Sequence, residues 1–349
     1  MKKVIVASMD WGLGHATRCV PIIRELLNQE LEVILASSGS ALDLLKMEFP
    51  KLSWIALPGY APVYSGRQTL FLRLLIQVPR FLRIIRQEHR LIEHYVSENG
   101  IHAVISDNRY GCWSKQVPSV FITHQLNIAV PEWLRRLRFV VRYFNHRQIR
   151  KFGDCWVPDD RSHTLSGELS HPFGLSVKFI GPLSRFSNSR TVDTYKLDVL
   201  ALISGPEPQR GLFQKQMEGW LSKSTFRYTI VAGQPGISDE LNTPVISHLK
   251  ADQLQELIEQ TEVVVCRSGY STLMDLFYLK KKMVVIPTAG QPEQEYLAAY
   301  WDSKSRAIRI SQSEWNDQVI SRARLLNPAT FEPVFSNLSK VVQEFKARM

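Results

Sequence analysis

The chain has 349 residues, 44% of them hydrophobic and 22% charged, which excludes a disordered or low-complexity protein and fits two domains of roughly 150–180 residues each. Lys and Arg outnumber Asp and Glu by 43 to 33, a net charge of +10, and that excess favours anionic partners such as nucleotides or phospholipid surfaces. No apolar run reaches the roughly 18–20 residues that span a bilayer, and the apolar stretch behind Lys2 and Lys3 is too short for a secretory leader, so a soluble or peripheral protein is expected.

Lys3–Ser8 is a short β-branched run ended by a Gly turn, the pattern of a buried parallel strand. Helical spacing follows over 20–27, a strand over 31–37, a helix over 41–47 and a strand over 52–57. A long helical stretch over 69–98 is interrupted at Pro79, and further strands are predicted over 103–106, 119–122 and 155–157. The stretch 178–188 contains Gly181-Pro182-Leu183-Ser184 and leads into the polar Ser187, Asn188 and Ser189, which read as a linker. The alternation then restarts with strand 197–203, helix 209–221, strand 226–231, helix 253–260, strand 263–265, helix 272–279, strand 283–286 and helices over 294–301 and 329–348. This order predicts an α/β chain of two Rossmann-like, doubly wound domains facing a central cleft. Their expected extents are 1–185 and 186–349, with the last helix free to pack back on the first domain.

Two strand–turn–helix junctions carry the chemistry. Asp10-Trp11-Gly12-Leu13-Gly14-His15 follows the first strand, and Cys266-Arg267-Ser268-Gly269-Tyr270-Ser271-Thr272 follows the strand at 263–265. Each presents backbone N–H groups at a helix N-terminus, where the helix dipole favours an anion. His15 has the right chemistry for a general base, although a solvated His at a helix start fits the same residues. Ser268, Gly269, Ser271 and Thr272 suit a diphosphate, Arg267 a phosphate or base, and Asp275 a ribose; ordinary capping fits them as well. Two more polar loops sit at strand ends, one with Ser204, Gly205 and Arg210, the other with Gln291, Gln294 and Glu295. Asp107, Asn108 and Arg109 follow another strand, with Asp107 a third choice of base after His15 and His124. The four cysteines, Cys19, Cys112, Cys155 and Cys266, form no Cys-x-x-Cys pair and lie beside no His cluster. Neither a zinc site nor a disulfide framework is expected, and a reducing cytosol fits best. The adjacent Asp159 and Asp160 read as solvated acids rather than metal ligands.

These motifs resemble the GT-B glycosyltransferases of family 28, most of all the branch that adds N-acetylglucosamine to an undecaprenyl-linked muramyl peptide. The resemblance covers most of the chain and is strongest over about 262–300. Arg267, Ser268, Gly269 and, eight positions after the Arg, Asp275 match that family's donor motif, with Asp where Glu is common. Its Gln-Gln pair on the donor sugar reads Gln294-Glu295, and its His-Glu-Gln-Asn element reads His124-Gln125-Leu126-Asn127. The Gly-rich loop is matched by Gly12, Gly14 and His15, with fewer glycines. The resemblance implies an inverting transfer of N-acetylglucosamine or another hexose from a UDP-sugar to a lipid-linked or glycan acceptor of the cell envelope. It implies no cofactor and no metal. The string Gly12–Cys19 also resembles the UDP-sugar hydrolase of the pseudaminic acid route, where water replaces the acceptor. A non-catalytic sugar-nucleotide-binding subunit is a further alternative.

Arg73, Arg80, Arg83, Arg86 and Arg90 fall within an arc of about 140° on the long helix. A basic amphipathic helix can lie on an anionic membrane at the inner, cytoplasmic face; a solvated Arg face is the plainer reading. No nucleic acid partner is expected, because no basic motif interleaved with aromatics occurs.

Overall fold

A computed structural model of the chain describes residues 1–60, 70–186, 194–234, 244–331 and 333–349, with side chains in the helix that starts at Leu70 described from Ile76 onward. In chain order the elements are β1 Lys3–Ser8, α1 Leu13–Asn28, β2 Glu32–Ser37, α2 Gly39–Glu48, β3 Ser53–Ala56, α3 Leu70–Glu98, β4 Ile101–Asp107, β5 Ser119–Ile122, α4 Arg138–Ile149, β6 Asp154–Val157 and β7 Lys178–Phe179. They continue with β8 Leu197–Leu202, α5 Gln209–Leu221, β9 Tyr228–Val231, β10 Val245–Ile246, α6 Ala251–Glu259, β11 Thr261–Cys266, α7 Tyr270–Tyr278, β12 Lys282–Val285, α8 Pro292–Ser303, β13 Ile308–Arg309, α9 Asp317–Arg324 and α10 Leu338–Lys346. Two compact units result, one with residues 1–60, Phe71–Leu183 and Val334–Met349, the other with Ser184–Pro333. Ser187, Asn188 and Ser189 of the expected linker lie outside the described residues.

The first unit's sheet runs β3-β2-β1-β4-β5-β6-β7, all parallel. Alternation along the strands sorts its two faces. Val4, Val6, Ile105, Val120 and Ile122 point toward α1, α2 and α10 in one core. Ile5, Ala7 and Val104 point the other way, against Ile92 and Val96 of α3. Phe121, Cys155 and Val157 share that second face and pack on Ile149 of α4. Helices α3 and α4 therefore cover the same side of the sheet. Strand order reverses between β1 and β4, and the register sets Ser8 beside Asp107 and Asp107 beside Ile122. The loops after β1, β4 and β5 thus leave from one short edge.

The second unit repeats the plan with order β10-β9-β8-β11-β12-β13, again all parallel. Val199, Ala201, Val263, Val265 and Val284 face Phe213 and Met217 of α5 and Val319 and Ile320 of α9. Here the order reverses between β8 and β11, and Cys266 lies level with Leu202 and Val285. Open α/β sheets bind ligands outside the strand carboxyl ends at such a reversal.

Two expectations are corrected. Helix α3 runs unbroken through Pro79; one missing N–H is a local loss in 29 residues whose inner face is packed. The helix expected over 329–348 is a single turn at Pro328–Thr330 and the separate helix α10, with no helix over 333–337. Gly181 explains that return of the tail to the first unit: its φ is +76°, and a Cβ there would collide with the Phe335 carbonyl oxygen. Helices α4 and α9 and the short strands β7, β10 and β13 were not expected.

Candidate active site

In the first unit, Gly12 turns the chain at φ +79° from β1 into α1, a backbone state that costs glycine little. His15 then stands in the first turn of α1, half-buried, with Nδ1 3.2 Å from Oδ2 of Asp107 at the end of β4. One turn later comes Arg18, 2% exposed, which joins everything at this edge. Its Nε donates to Asp107 Oδ2 at 3.1 Å and its Nη2 to Asp107 Oδ1. Nη2 also lies 2.9 Å from His15 Nδ1, and Nη1 lies 2.9 Å from Nδ1 of His124, which follows β5. Cys19 Sγ is 3.8 Å from the same carboxylate.

Burial alone would push the Asp107 carboxyl up, but Arg18 and His15 outweigh it and hold the group below the ordinary carboxylate range. Asp107 is thus an anion at neutral pH, and the geometry offers His15 two states. With Nδ1 protonated toward Asp107, Nε2 is the basic atom; with Nδ1 accepting from Arg18, Nε2 carries the hydrogen. The structure brings together His15, His124 and Asp107. Sequence reasoning missed Arg18, whose signal was its i+3 spacing from His15 on one helix.

The other first-unit candidates turn inward. Asn108 has φ +57° and passes the chain to Arg109, which is fully buried. Arg109 donates to Ser8 O at 2.6 Å, Pro58 O at 3.1 Å, Glu88 Oε1 at 2.5 Å and Ser38 Oγ at 2.7 Å. Its donors hold the ends of β1 and β2 against α3, which corrects its placement on the acceptor side. Asn127 donates to the carbonyls of Glu168 at 2.7 Å and His171 at 2.8 Å, and so fixes a turn instead of facing an acceptor. Gly14 is half-buried in the first turn of α1. Asp159 is fully buried and accepts from Leu165 N, Ser166 N and Ser170 Oγ at 3.0, 2.9 and 2.8 Å, which corrects the expectation of a solvated acid.

In the second unit, Gly269 precedes α7, and Ser271 and Thr272 sit half-buried in its first turn. A Cβ added to Gly269, Gly205 or Gly290 would meet nothing within 4 Å, so three strand-end loops expose backbone. Ser204 is half-buried beside Gly205, and Gln291 sits at the start of α8. The bulky candidates build these loops from behind. Arg267 is 1% exposed, lies 4.0 Å over the Phe213 ring and donates to Ile286 O and Pro287 O, both at 3.1 Å. Burial lowers its guanidinium to about 10, and its Nε has no hydrogen-bond partner among the described residues. Ser268 Oγ donates to Gln294 O at 2.7 Å, Gln294 Oε1 accepts from Thr288 N at 2.8 Å, and Glu295 Oε1 accepts from Gly290 N at 2.8 Å. Arg210 bonds Ala232 O at 3.1 Å and pairs with Glu207. Asp275 accepts from Ser184 Oγ at 2.8 Å and from Arg185 N and Nε, both at 3.2 Å. Burial raises its carboxyl above the ordinary value in spite of Arg185. Among the described residues no group of three or more His, Cys, Asp or Glu is placed to hold a metal ion.

Comparison with known proteins bears on the fold and on the second unit. Residues 234–332 match the family model "Glycosyltransferase family 28 C-terminal domain". An uncharacterized glycosyltransferase of Methanosarcina mazei is 23% identical over 336 residues, 88% of this chain and 86% of that protein. The UDP-N-acetylglucosamine–N-acetylmuramyl-(pentapeptide) pyrophosphoryl-undecaprenol N-acetylglucosamine transferase of Streptococcus agalactiae is 30% identical over 92 residues, 26% of each chain. Among solved structures, the Streptomyces sp. SF2575 glycosyltransferase SsfS6 with thymidine diphosphate has a TM-score of 0.62 at 13% identity, covering 99% of this chain and 100% of that one. Arabidopsis thaliana UGT89C1 with UDP-L-rhamnose has a TM-score of 0.57 at 13% identity, covering 100% and 94%.

Proposed function

We propose that the chain, which has the GT-B fold and matches the family 28 C-terminal domain over residues 234–332 of its second unit, transfers a hexose from a UDP-sugar to a lipid-linked or glycan acceptor, with inversion. The observation that carries the donor half is the span of the family match, 234–332, which contains α7, its preceding turn and the 288–295 loop. The diphosphate rests on the N-terminus of α7 at Gly269, Ser271 and Thr272, where the helix dipole offsets charge on the departing UDP without a metal. Arg267, Ser268, Gln294 and Glu295 act by holding the two loops in shape. Asp275 has three of its roughly four acceptor positions filled by Ser184 and Arg185, leaving about one for a ribose hydroxyl. UDP is favoured over thymidine diphosphate by the undecaprenol-pathway relative; N-acetylglucosamine is the first sugar to try.

In the transfer step an acceptor oxygen attacks the anomeric carbon, the bond from that carbon to the phosphate oxygen breaks, and UDP leaves with the electron pair. The acceptor proton passes to Nε2 of His15, with Nδ1–H held by the Asp107 carboxylate. His124, tied to the same Arg18, is the second choice of base. Arg80, Arg83, Arg86 and Arg90 are exposed along α3 and support an approach to an anionic membrane, while the side chain of Arg73 lies outside the described residues. No described helix is long and apolar enough to cross a membrane. The four cysteines are free and buried, in keeping with a cytoplasmic, reducing setting.

The test is calorimetric titration with UDP, TDP, GDP and CDP, followed by UDP-sugar turnover with and without lipid extract. Selective UDP binding and lipid-dependent sugar transfer support the reading. Equal release of sugar into water with and without lipid would make the protein a UDP-sugar hydrolase, and no nucleotide binding would remove the donor assignment.

A further inference from the structure

We propose that the turn Glu132–Leu137 and helix α4 form a docking surface for an anionic lipid bilayer, with aromatic side chains entering the headgroup region. This deepens the membrane part of the reading above and needs no glycosyl transfer to hold. The amphipathicity of α4 is inverted. The side it buries carries Asn145, His146 and Ile149. Asn145 donates to Gln125 O at 3.0 Å and Leu126 O at 2.9 Å and accepts from Tyr110 Oη at 2.6 Å, and His146 Nε2 lies 3.1 Å from Leu126 O. Outward go Trp133, Leu137, Phe139, Tyr143 and Phe144, at 59, 49, 62, 56 and 58% exposure. A helix fastened by polar bonds with its large apolar groups in water has an unmet surface, and contiguous exposed apolar area of this kind marks an interface.

Charge selects the occupant. Arg135, Arg136, Arg138, Arg147 and Arg150 are exposed around the aromatics, whereas the one acid in the segment, Glu132, lies 3.3 Å from Arg135. A second copy bound about a two-fold axis would set arginine against arginine. A nucleic acid would answer the arginines and leave Leu137 and Phe139 in water. An anionic bilayer interface takes both, with aromatics at headgroup depth and guanidinium groups on the phosphates. Location agrees, because α3 lies on the same face of the sheet and there exposes Ile76, Val78 and Leu82 at 79, 40 and 42% among its arginines.

The test is co-sedimentation with phosphatidylcholine vesicles containing about 30% phosphatidylglycerol, against pure phosphatidylcholine. The wild-type chain should partition at least about tenfold better onto the anionic vesicles, and Trp133→Ser with Phe139→Ser and Phe144→Ser should lower that at least about tenfold at an unchanged melting midpoint. Should the triple variant fail to fold, Phe144→Ser alone should lower partitioning by about threefold or more. Absence of wild-type binding to anionic vesicles, unchanged binding of the folded variants, or capture of transfer RNA in place of vesicles would overturn the proposal. Loss of UDP binding would sink the donor reading and leave this one standing.

Discussion

At the scale of single residues the decisive group is the Arg18–Asp107 pair, because it fixes where two imidazoles can keep their protons. His15→Ala should cut turnover by about 100-fold or more while leaving the UDP dissociation constant unchanged; equal turnover in the variant would take His15 out of the mechanism. Asp107→Asn should be costlier to the fold, since it strands the Arg18 guanidinium in a buried site. Breaking such a pair costs about 3–5 kcal/mol, readable by urea denaturation at pH 7. The sign of the pH dependence follows from the depressed carboxyl of Asp107. Its stabilisation is full above the unfolded value of about 3.9 and drains away as pH falls through the lower folded value. The gap between wild type and Asp107→Asn should therefore close on acidification below about pH 4, and a gap constant down to pH 2 would contradict the pairing. His15, Asp107 and His124 were legible as residue types at strand ends, because chemistry in an open α/β sheet collects there. Arg109 and Arg267 were misread for a physical reason. A sequence marks an arginine beside a loop but not whether its fork turns to ligand or, as in both cases, to backbone carbonyls behind the loop.

At the scale of elements, strands with β-branched runs and long helices with an apolar inward stripe were readable, whereas α9, which buries Val319, Ile320 and Ala323 in only eight residues, is too short for its period to stand out. Helix α4 carries Asn145 and His146 inward and aromatics outward, so its apolar period pointed to no sheet-facing stripe. Two-residue strands such as β7, β10 and β13 exist only because a longer neighbour offers its edge. The C-terminal tail shows the same dependence on partners. Its path past Ile180 relies on the missing side chain at Gly181 and on Asn337 N donating to Ile180 O at 3.0 Å. Gly181→Ala must therefore displace backbone and hold a non-glycine residue at φ +76°, a strain of about 1–3 kcal/mol before any lost packing. A melting midpoint unchanged from wild type would show that the tail does not need this approach.

At the scale of the molecule, each unit has its own sheet, its own reversal of strand order and its own loops at that reversal. The alternation of strands and helices made this doubling visible without any sequence repeat, since each half separately meets the rules for a parallel sheet covered on both faces. A ligand held by one unit should then act on that unit's unfolding alone. Every residue proposed for the UDP site lies within Ser184–Pro333, whereas Gly181 and the tail it receives lie in the first unit. Scanning calorimetry should resolve a transition that UDP raises and another that Gly181→Ala lowers. At about 100 times its dissociation constant UDP contributes about 2.7 kcal/mol to the state that binds it, or roughly 5–11 °C for a unit of this size, taking about 2–4 °C per kcal/mol. If UDP instead raised the transition that Gly181→Ala lowers and left the other unmoved, the nucleotide would belong to the first unit, and the assignment of α7 and its turn to the donor would fail.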